Sequence, residues 1–168
     1  NNKKEARSAF SLCLLTSVDQ RLQSRARINF SKLSYELGYF DEAVRELDIY
    51  VRTQATDSLL VEAREILFAA LAASSNYKRA LQVLEPIKDP SPQTQRLIPA
   101  VRFGRAVELF HDEDFSEAKK LLLKNINDRW ASTSLAVTQF WLGEIAFRQQ
   151  DYVVAIQYYS NYLSSKGG

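Results

Sequence analysis

The sequence predicts an all-α fold built from repeated pairs of antiparallel helices. Three observations favour this class: helix-forming residues predominate, glycine and proline are few, and one pattern of small and large apolar residues recurs along the chain. With 168 residues and 46% hydrophobic content, the chain is long enough to bury a continuous core.

An alanine followed four residues later by a large apolar residue marks each repeat. The pairs are Ala6/Phe10, Ala43/Leu47, Ala80/Leu84, Ala118/Leu122 and Ala155/Tyr159. The alanines are 37, 37, 38 and 37 residues apart, and chance does not produce five matches at so constant a spacing. A small residue lets two antiparallel helices approach closely, and the residue four positions on fills the adjoining gap.

A short polar or turn-like cluster lies before each of the last four alanines. The clusters cover residues 37–39, 74–76, 112–114 and 149–151, and each is followed by an aromatic residue three positions before the alanine: Phe40, Tyr77, Phe115 and Tyr152. Gly, Asn and Asp in such clusters tolerate left-handed backbone or cap the next helix with a side-chain oxygen. Each cluster therefore predicts a corner between two helices.

These corners fix the predicted helices and repeats. First helices are predicted over 23–37, 58–74, 94–111 and 132–149, and second helices over 41–54, 77–88, 115–127 and 152–164. Residues 3–17 fit one further second helix, because Ala6, Phe10 and Cys13 fall one period before Ala43, Leu47 and Tyr50. We therefore predict a single array over 1–168, with a half repeat at 1–17 and full repeats at 23–56, 57–92, 93–129 and 131–166. Since it starts with half a repeat and the chain contains no methionine, we expect a piece of a longer protein.

The last repeat resembles the tetratricopeptide repeat (TPR) family. Leu142-Gly143 matches the Leu-Gly pair of the family, Ala146 stands at the Tyr position of its first helix, and Ala155 and Tyr159 match the Ala and Phe positions of its second. Earlier repeats depart from the motif, and a 37-residue period exceeds the usual length of about 34. The resemblance implies a right-handed superhelical solenoid of about four and a half repeats.

A finer similarity concerns the segment from Phe140 to Glu144 together with Tyr158, Tyr159, Tyr162 and Leu163. It is similar to repeats of bacterial periplasmic TPR proteins linked to the Tol-Pal envelope system. The similarity implies a bacterial protein of the periplasm or cell envelope, whereas the residues alone assign no compartment. Cys13 is the only cysteine, so no intrachain disulfide can form.

Composition argues against several classes of function. Twenty-two basic and twenty acidic residues give a net charge of +2, which is too balanced for a general nucleic-acid binder. No apolar stretch is long enough to span a bilayer, so we expect no direct membrane insertion. His111 is the only histidine, and the internal glycines are isolated, so neither a multi-histidine metal site nor a phosphate-binding loop is expected. We expect no enzyme activity, no catalytic residue, no cofactor and no metal, with His111 at the surface.

The TPR resemblance implies that first helices line a concave surface, where the last two repeats are rich in aromatic residues. The candidate partner-binding residues are Phe103, Val107, Phe110, Phe140, Trp141, Glu144, Phe147 and Arg148. Exposed aromatic side chains anchor peptides and proteins, although the same residues could instead pack within the array. The positions that match the family's carboxylate clamp hold Ile28, Lys32, Ile66, Ala100 and Gly104. Because the clamp is absent, chaperone C-termini are not the expected ligand.

We therefore expect a non-catalytic protein-protein interaction scaffold that binds a peptide or protein partner on its concave face. The alternative is a structural spacer or self-association segment of a longer TPR superhelix. Val153, Val154 and Ile156 make the last helix more apolar than a terminal cap requires, which points to possible self-association through exposed terminal repeats. A third hypothesis is an accessory domain of an enzyme whose catalytic residues lie outside this chain.

Overall fold

The computed structural model describes residues 2–53 and 58–165, and within these ranges the chain is all-α, as predicted. No strand occurs in the described residues. In chain order the helices are α1 (Asn2–Thr16), α2 (Gln20–Glu36), α3 (Phe40–Thr53), α4 (Leu60–Ala73), α5 (Tyr77–Leu84), α6 (Pro92–His111), α7 (Phe115–Ile126), α8 (Leu135–Arg148) and α9 (Tyr152–Ser165). A short 3-10 helix, Ser132–Ser134, precedes α8.

The helix prediction is wrong by three or more residues at three ends. The helix predicted from residue 23 already starts at Gln20, because Asp19 caps it by accepting from the Arg21 backbone N–H. The second helix predicted over 77–88 stops at Leu84. Glu85 still has helical backbone, but Pro86 cannot donate a backbone hydrogen bond, and Ile87 donates to the Leu84 carbonyl in a tighter turn. The helix predicted from residue 132 starts as the 3-10 turn and becomes α-helical only at Leu135. The predicted helix end at 54, the predicted repeat boundary at 56 and 57, the predicted end of the last repeat at 166 and both ends of the predicted array, 1 and 168, lie outside the described residues.

The chain divides into two compact units, Asn1–Thr94 and Gln95–Gly168. In the first unit, α1 packs against α2, α2 against α3 and α4, α3 against α4, and α4 against α5. Its core is centred on α3 and α4, where Leu47, Tyr50, Leu67 and Phe68 are almost completely buried. Successive helices of this unit therefore pack as helix-turn-helix hairpins.

Arg7 on α1 contacts both helices of the α2–α3 hairpin. Its guanidinium donates to the Ser34 hydroxyl at 2.8 Å and forms an ion pair with Glu42. The same group lies over the rings of Phe30 and Tyr39, at 4.7 and 4.6 Å from their centroids. One half-buried cation therefore contacts α2, the end of the α2–α3 corner and α3.

The second unit contains α7, α8, α9 and most of α6. Its core cluster consists of Ala106, Leu109, Ala118, Leu122, Leu142 and Ile145, which come from α6, α7 and α8. Helix α8 also packs along α9, where Ala155 is buried. This core carries the half-buried aromatic residues from which the candidate site is built.

The repeated alanines take the packing positions that their spacing predicts. Ala43, Ala80 and Ala118 are fully buried, Ala155 is almost fully buried, and Ala6 on the first helix is half-buried. The predicted aromatic residues are the first residues of α3, α5, α7 and α9. Three of them contact an aromatic residue five positions earlier, across the corner: Tyr35–Phe40, Phe110–Phe115 and Phe147–Tyr152, with centroids 5.3 to 5.8 Å apart.

The four predicted corners share one backbone geometry. Gly38, Ser75, Glu113 and Gln150 have φ of 84, 58, 61 and 62°, which is left-handed backbone. The next residue of each corner donates its backbone N–H to a carbonyl five residues back, as Asp151 does to Ala146 at 2.9 Å. This is the Schellman arrangement that ends a helix and satisfies its last carbonyls. Only the first corner uses glycine, the residue best suited to this conformation.

Substitution of Gln150 by glycine is therefore expected to stabilise the chain by about 1 kcal/mol, because a side chain in left-handed backbone costs roughly 1–2 kcal/mol. Glu113→Gly should have a similar effect. The measurement is urea unfolding followed by far-ultraviolet circular dichroism. Gln150→Ala is the matched control, since it also shortens the side chain but keeps the Cβ, and it should leave stability almost unchanged. A gain that is equal in the alanine variant would show that the backbone conformation is not the cause.

Candidate functional site

The predicted partner-binding residues lie on two helices of the second unit. Phe103, Val107 and Phe110 are on α6, and the other five are on α8. None of the eight is fully buried, and Phe147 and Arg148 are exposed. Helical spacing brings residues three or four positions apart onto one face, so each helix presents a row of these side chains.

Five rings of this unit form what we call the aromatic cluster: Phe110, His111, Phe115, Phe140 and Trp141. The indole of Trp141 is its centre, with its ring centroid 5.0 Å from Phe110, 6.0 Å from His111 and 6.0 Å from Phe140. All three contacts are edge-to-face, which places the positive edge of one ring against the negative face of another. Two predicted residues from α6 and α8 thus meet directly, and Phe140 joins them through Trp141.

The aromatic cluster packs against the core on one side and is partly exposed to solvent. Phe103, Phe110, Phe115 and Trp141 are half-buried and pack against the core cluster of the second unit. The sequence left open whether Trp141 and Phe110 pack within the array or are exposed for binding. Each packs on the core and keeps part of its surface exposed. Such half-buried rings can gain a further contact without reorganisation of the core.

A positive charge lies at the edge of the aromatic cluster. The guanidinium carbon of Arg148 is 5.9 Å from the centroid of the Phe110 ring, within the range of a weak cation–π contact. Phe147, adjacent in sequence, is 52% exposed and contacts Tyr152 across the corner at 5.7 Å. Within the described residues, the Phe147 ring contacts the ring of Tyr152 and none of the rings of the aromatic cluster. Arg148 therefore contacts the aromatic cluster, whereas Phe147 contacts Tyr152 instead.

Glu144 is held by a partner that the sequence prediction did not include. The Tyr159 hydroxyl of α9 donates to the Glu144 carboxylate at 2.6 Å. Burial, together with this hydrogen bond, raises the pKa of the Tyr159 hydroxyl to about 12. Close approach of the ring depends on Gly143, because a Cβ there would lie 2.6 Å from Tyr159 Cε1. The Leu-Gly pair therefore makes room for the tyrosine that fixes Glu144.

Four residues with rings at the site were missing from the predicted set: His111, Phe115, Tyr159 and Tyr162. Phe115 was predicted only as the aromatic residue of its corner, and it contacts Phe110. His111 was expected only at the surface; it is exposed and also contacts both Phe110 and Trp141. Tyr159 and Tyr162 on α9 contact the Phe140 ring at 6.1 and 5.5 Å. The sequence did point to both tyrosines: Tyr159 stands four residues after a repeat alanine, and Tyr162 belongs to the segment that is similar to periplasmic TPR proteins. Neither signal indicated a contact with Phe140.

The described residues contain no group of three or more His, Cys, Asp or Glu side chains that could hold a metal ion. In the same part of the chain, no helix combines the length and apolar character needed to cross a membrane. Comparison of the sequence with protein-family models and with curated proteins finds no match.

Proposed function

We propose that the chain is a non-catalytic scaffold of TPR-like hairpins that binds a peptide or protein partner through the aromatic cluster of its second unit. The observation that carries the proposal is the half-buried Trp141, held edge-to-face by three rings and still partly open. Preformed aromatic surfaces lose little side-chain entropy on binding and bury much apolar area, which is why they dominate binding energy at interfaces.

The periodic corners support the TPR-like part of the proposal. Four Schellman turns at intervals of 37 or 38 residues, each followed by an aromatic residue and a buried alanine, form one repeated structural unit. In the first unit, α2 contacts α4 as well as α3, so that the first helices of successive hairpins touch. Nearest-neighbour contact of this kind is what builds a repeat array. In such a solenoid, α6 and α8 would present their candidate residues on the concave face.

The chemistry of the site favours a ligand with apolar anchors and a mixed charge pattern. The rings offer apolar contacts, Arg148 offers a cation, and the Glu144 carboxylate, oriented by Tyr159, offers an acceptor for a donor group of the ligand. A short amphipathic or extended peptide segment has these groups at the required spacing.

Selection of a displayed random peptide library on the full chain tests this proposal. We expect enrichment of peptides with aromatic or aliphatic anchors, and at least tenfold weaker binding of their synthetic copies to Phe147→Ser or Arg148→Gln than to the unchanged chain. Both side chains are exposed, so folding should be unaffected. Val18→Ser, which changes a 97% exposed apolar residue of the first unit, is the matched control and should bind normally. Failure to enrich any peptide, or equal loss in the control, would contradict the proposal.

Self-association is a second candidate function, favoured by the outer face of α9. Tyr152, Val153, Ile156 and Leu163 are more than half exposed, and α9 contains no charged residue. Exposed apolar residues also follow one another near the end of α1, at Leu12 and Leu15. Apolar faces of this kind mark contacts with another chain or segment. Sedimentation velocity over a hundredfold concentration range distinguishes the two candidates, since a monomeric chain that binds peptides supports the first alone.

A further inference from the structure

A second surface of the second unit carries a different chemistry. Residues of α6 and α7 and of the segment between α7 and α8 line an open groove with a volume of about 620 Å³. Its charged lining residues are Arg102, Lys124, Asp128 and Arg129, so three cations face one carboxylate. The groove shares no residue with the predicted partner-binding set or with the aromatic cluster.

Trp130 lines this groove, and two guanidinium groups lie over its ring. The guanidinium carbon of Arg96 is 5.0 Å from the indole centroid, and that of Arg129 is 4.9 Å from it. The two cations are therefore at most 9.9 Å apart. Trp130 is itself fixed, because its indole N–H donates to Gln95 Oε1 at 3.3 Å and its backbone N–H donates to Asp128 Oδ1 at 3.0 Å.

The carboxylate that lines the groove, that of Asp128, already forms an ion pair. Asp128 pairs with the Arg102 guanidinium at 2.8 Å, and both side chains are mostly buried. Among the described residues, Arg96, Arg129 and Lys124 have no carboxylate partner within ion-pair distance. Two cations of the groove, Lys124 and Arg129, are thus left without a carboxylate partner, and so is Arg96, which adjoins the groove through the Trp130 ring. A bound anion would relieve their mutual repulsion.

Stacking on an indole prepares a guanidinium for such an anion. A guanidinium held over an aromatic ring by a cation–π contact uses none of its N–H donors on the ring, so they can donate to a carboxylate in a two-bond arrangement. The contact with the ring limits the freedom of the side chain before binding, so less side-chain entropy is lost. Arg129 uses one donor on Gln95 Oε1 at 3.3 Å and keeps the others.

From these contacts we infer that the groove around Trp130 binds an acidic peptide segment, with two of its carboxylates on Arg96 and Arg129. In an extended peptide, side chains two residues apart lie on the same side at about 6.8 Å, which fits two cations no more than 9.9 Å apart. The buried Ile98 in the groove wall and the indole edge provide apolar contact for the aliphatic stems of glutamate side chains. The carboxylate of Asp128 and the nearly neutral net charge of the chain, +2, disfavour a densely charged polyanion.

The test uses the full chain with Trp141→Phe, which leaves Trp130 as its only tryptophan and its fluorescence as the signal. The probe is a capped hexapeptide with glutamate at alternating positions, and its glutamine counterpart is the peptide control. We expect saturable quenching by the glutamate peptide, at least tenfold weaker binding of the glutamine peptide, and a marked loss of affinity at high salt. Arg96→Gln and Arg129→Gln should each weaken binding at least tenfold.

Arg45→Gln is the matched control variant, because it removes the same charge from an exposed position of the first unit. It should bind the glutamate peptide as well as the unchanged chain does. Circular dichroism melting identifies any variant that fails to fold, and for such a variant Arg→Lys, which keeps the charge but loses the stacked two-bond geometry, takes its place. Equal binding of both peptides, equal effects of Arg45→Gln and Arg129→Gln, or tighter binding of inorganic phosphate than of the glutamate peptide would overturn the inference. These outcomes leave the proposal for the aromatic cluster untouched, because the two sites have no residue in common.

Discussion

Trp141→Ala is expected to lower the free energy of unfolding by about 2–4 kcal/mol, near the range for truncation of a large aromatic side chain in a core. The indole contacts three rings of the aromatic cluster and packs against the core cluster formed by α6, α7 and α8. Its removal would leave Phe110 without its closest ring neighbour on α8. A tryptophan that served only as an exposed binding residue would cost less than about 0.5 kcal/mol when truncated.

Phe147→Ala is the matched control for this prediction, because it truncates another aromatic residue of α8 whose side chain is half-exposed. It should cost less than about 1 kcal/mol, since much of its surface is already in water. Trp141→Phe should retain most of the stability lost in the alanine variant. Urea unfolding followed by circular dichroism measures all three, and equal losses for Trp141→Ala and Phe147→Ala would show that Trp141 is not part of the packed structure.

The double role of Trp141 changes how the binding proposal must be tested. A variant that loses both binding and stability cannot separate a contact with the partner from support of the fold. For this reason the exposed Phe147 and Arg148 are better binding probes than Trp141 and Phe110. The conservative Trp141→Phe keeps a ring in the cluster and should reduce binding without unfolding the second unit.

The helices and corners were predictable because their causes are local in sequence. A left-handed corner, an aromatic residue at the next helix start and a buried alanine three residues later recur within a few positions of each other, so a period makes them visible. The wrongly predicted end of α5 also has a local cause, because Pro86 lacks the backbone N–H that would continue the helix, whereas the repeat period predicts a longer one.

The contacts that define both proposed sites were not predictable in the same way. Trp130 meets Gln95 and Arg96 across 34 or 35 residues, and Arg7 reaches Glu42 across 35. Such pairings depend on the register in which α6 packs beside the segment between α7 and α8, which no periodic pattern encodes. The sequence did indicate that α6 and α8 are rich in aromatic residues; which of those rings meet, and how deeply each is buried, depends on side-chain packing.

Gly143→Ala is expected to destabilise the chain by about 1–3 kcal/mol, although the same change within a helix usually stabilises by up to about 1 kcal/mol. A Cβ at this position would lie 2.6 and 2.7 Å from two carbon atoms of the Tyr159 ring, closer than van der Waals contact permits. The ring must therefore move away from α8. Its hydrogen bond to Glu144, 2.6 Å long, would then lengthen or break.

The tyrosine titration gives this prediction a second readout. In the unchanged chain the pKa of Tyr159 is raised to about 12 from an ordinary value of 10.0, so the neutral hydroxyl is favoured by the folded state. The contribution of the neutral Tyr159 hydroxyl to the free energy of unfolding is fully present below pH 10 and is lost as the pH rises toward 12. In Gly143→Ala the ring is displaced toward water and away from Glu144, and the ultraviolet absorbance of tyrosinate should show this residue titrating closer to 10. Tyr159→Phe identifies which tyrosine is responsible.

A double-mutant cycle with Tyr159→Leu isolates the steric cause. Leucine has no ring at the position that the new Cβ would occupy, so Gly143→Ala should cost much less in the Tyr159→Leu background than in the unchanged chain, and the helix preference for alanine could even make it favourable. The coupling between the two positions should exceed about 1 kcal/mol. If Gly143→Ala stabilises the chain by the same amount in both backgrounds, Tyr159 does not pack against Gly143, and the glycine of the Leu-Gly pair has no role in holding Glu144.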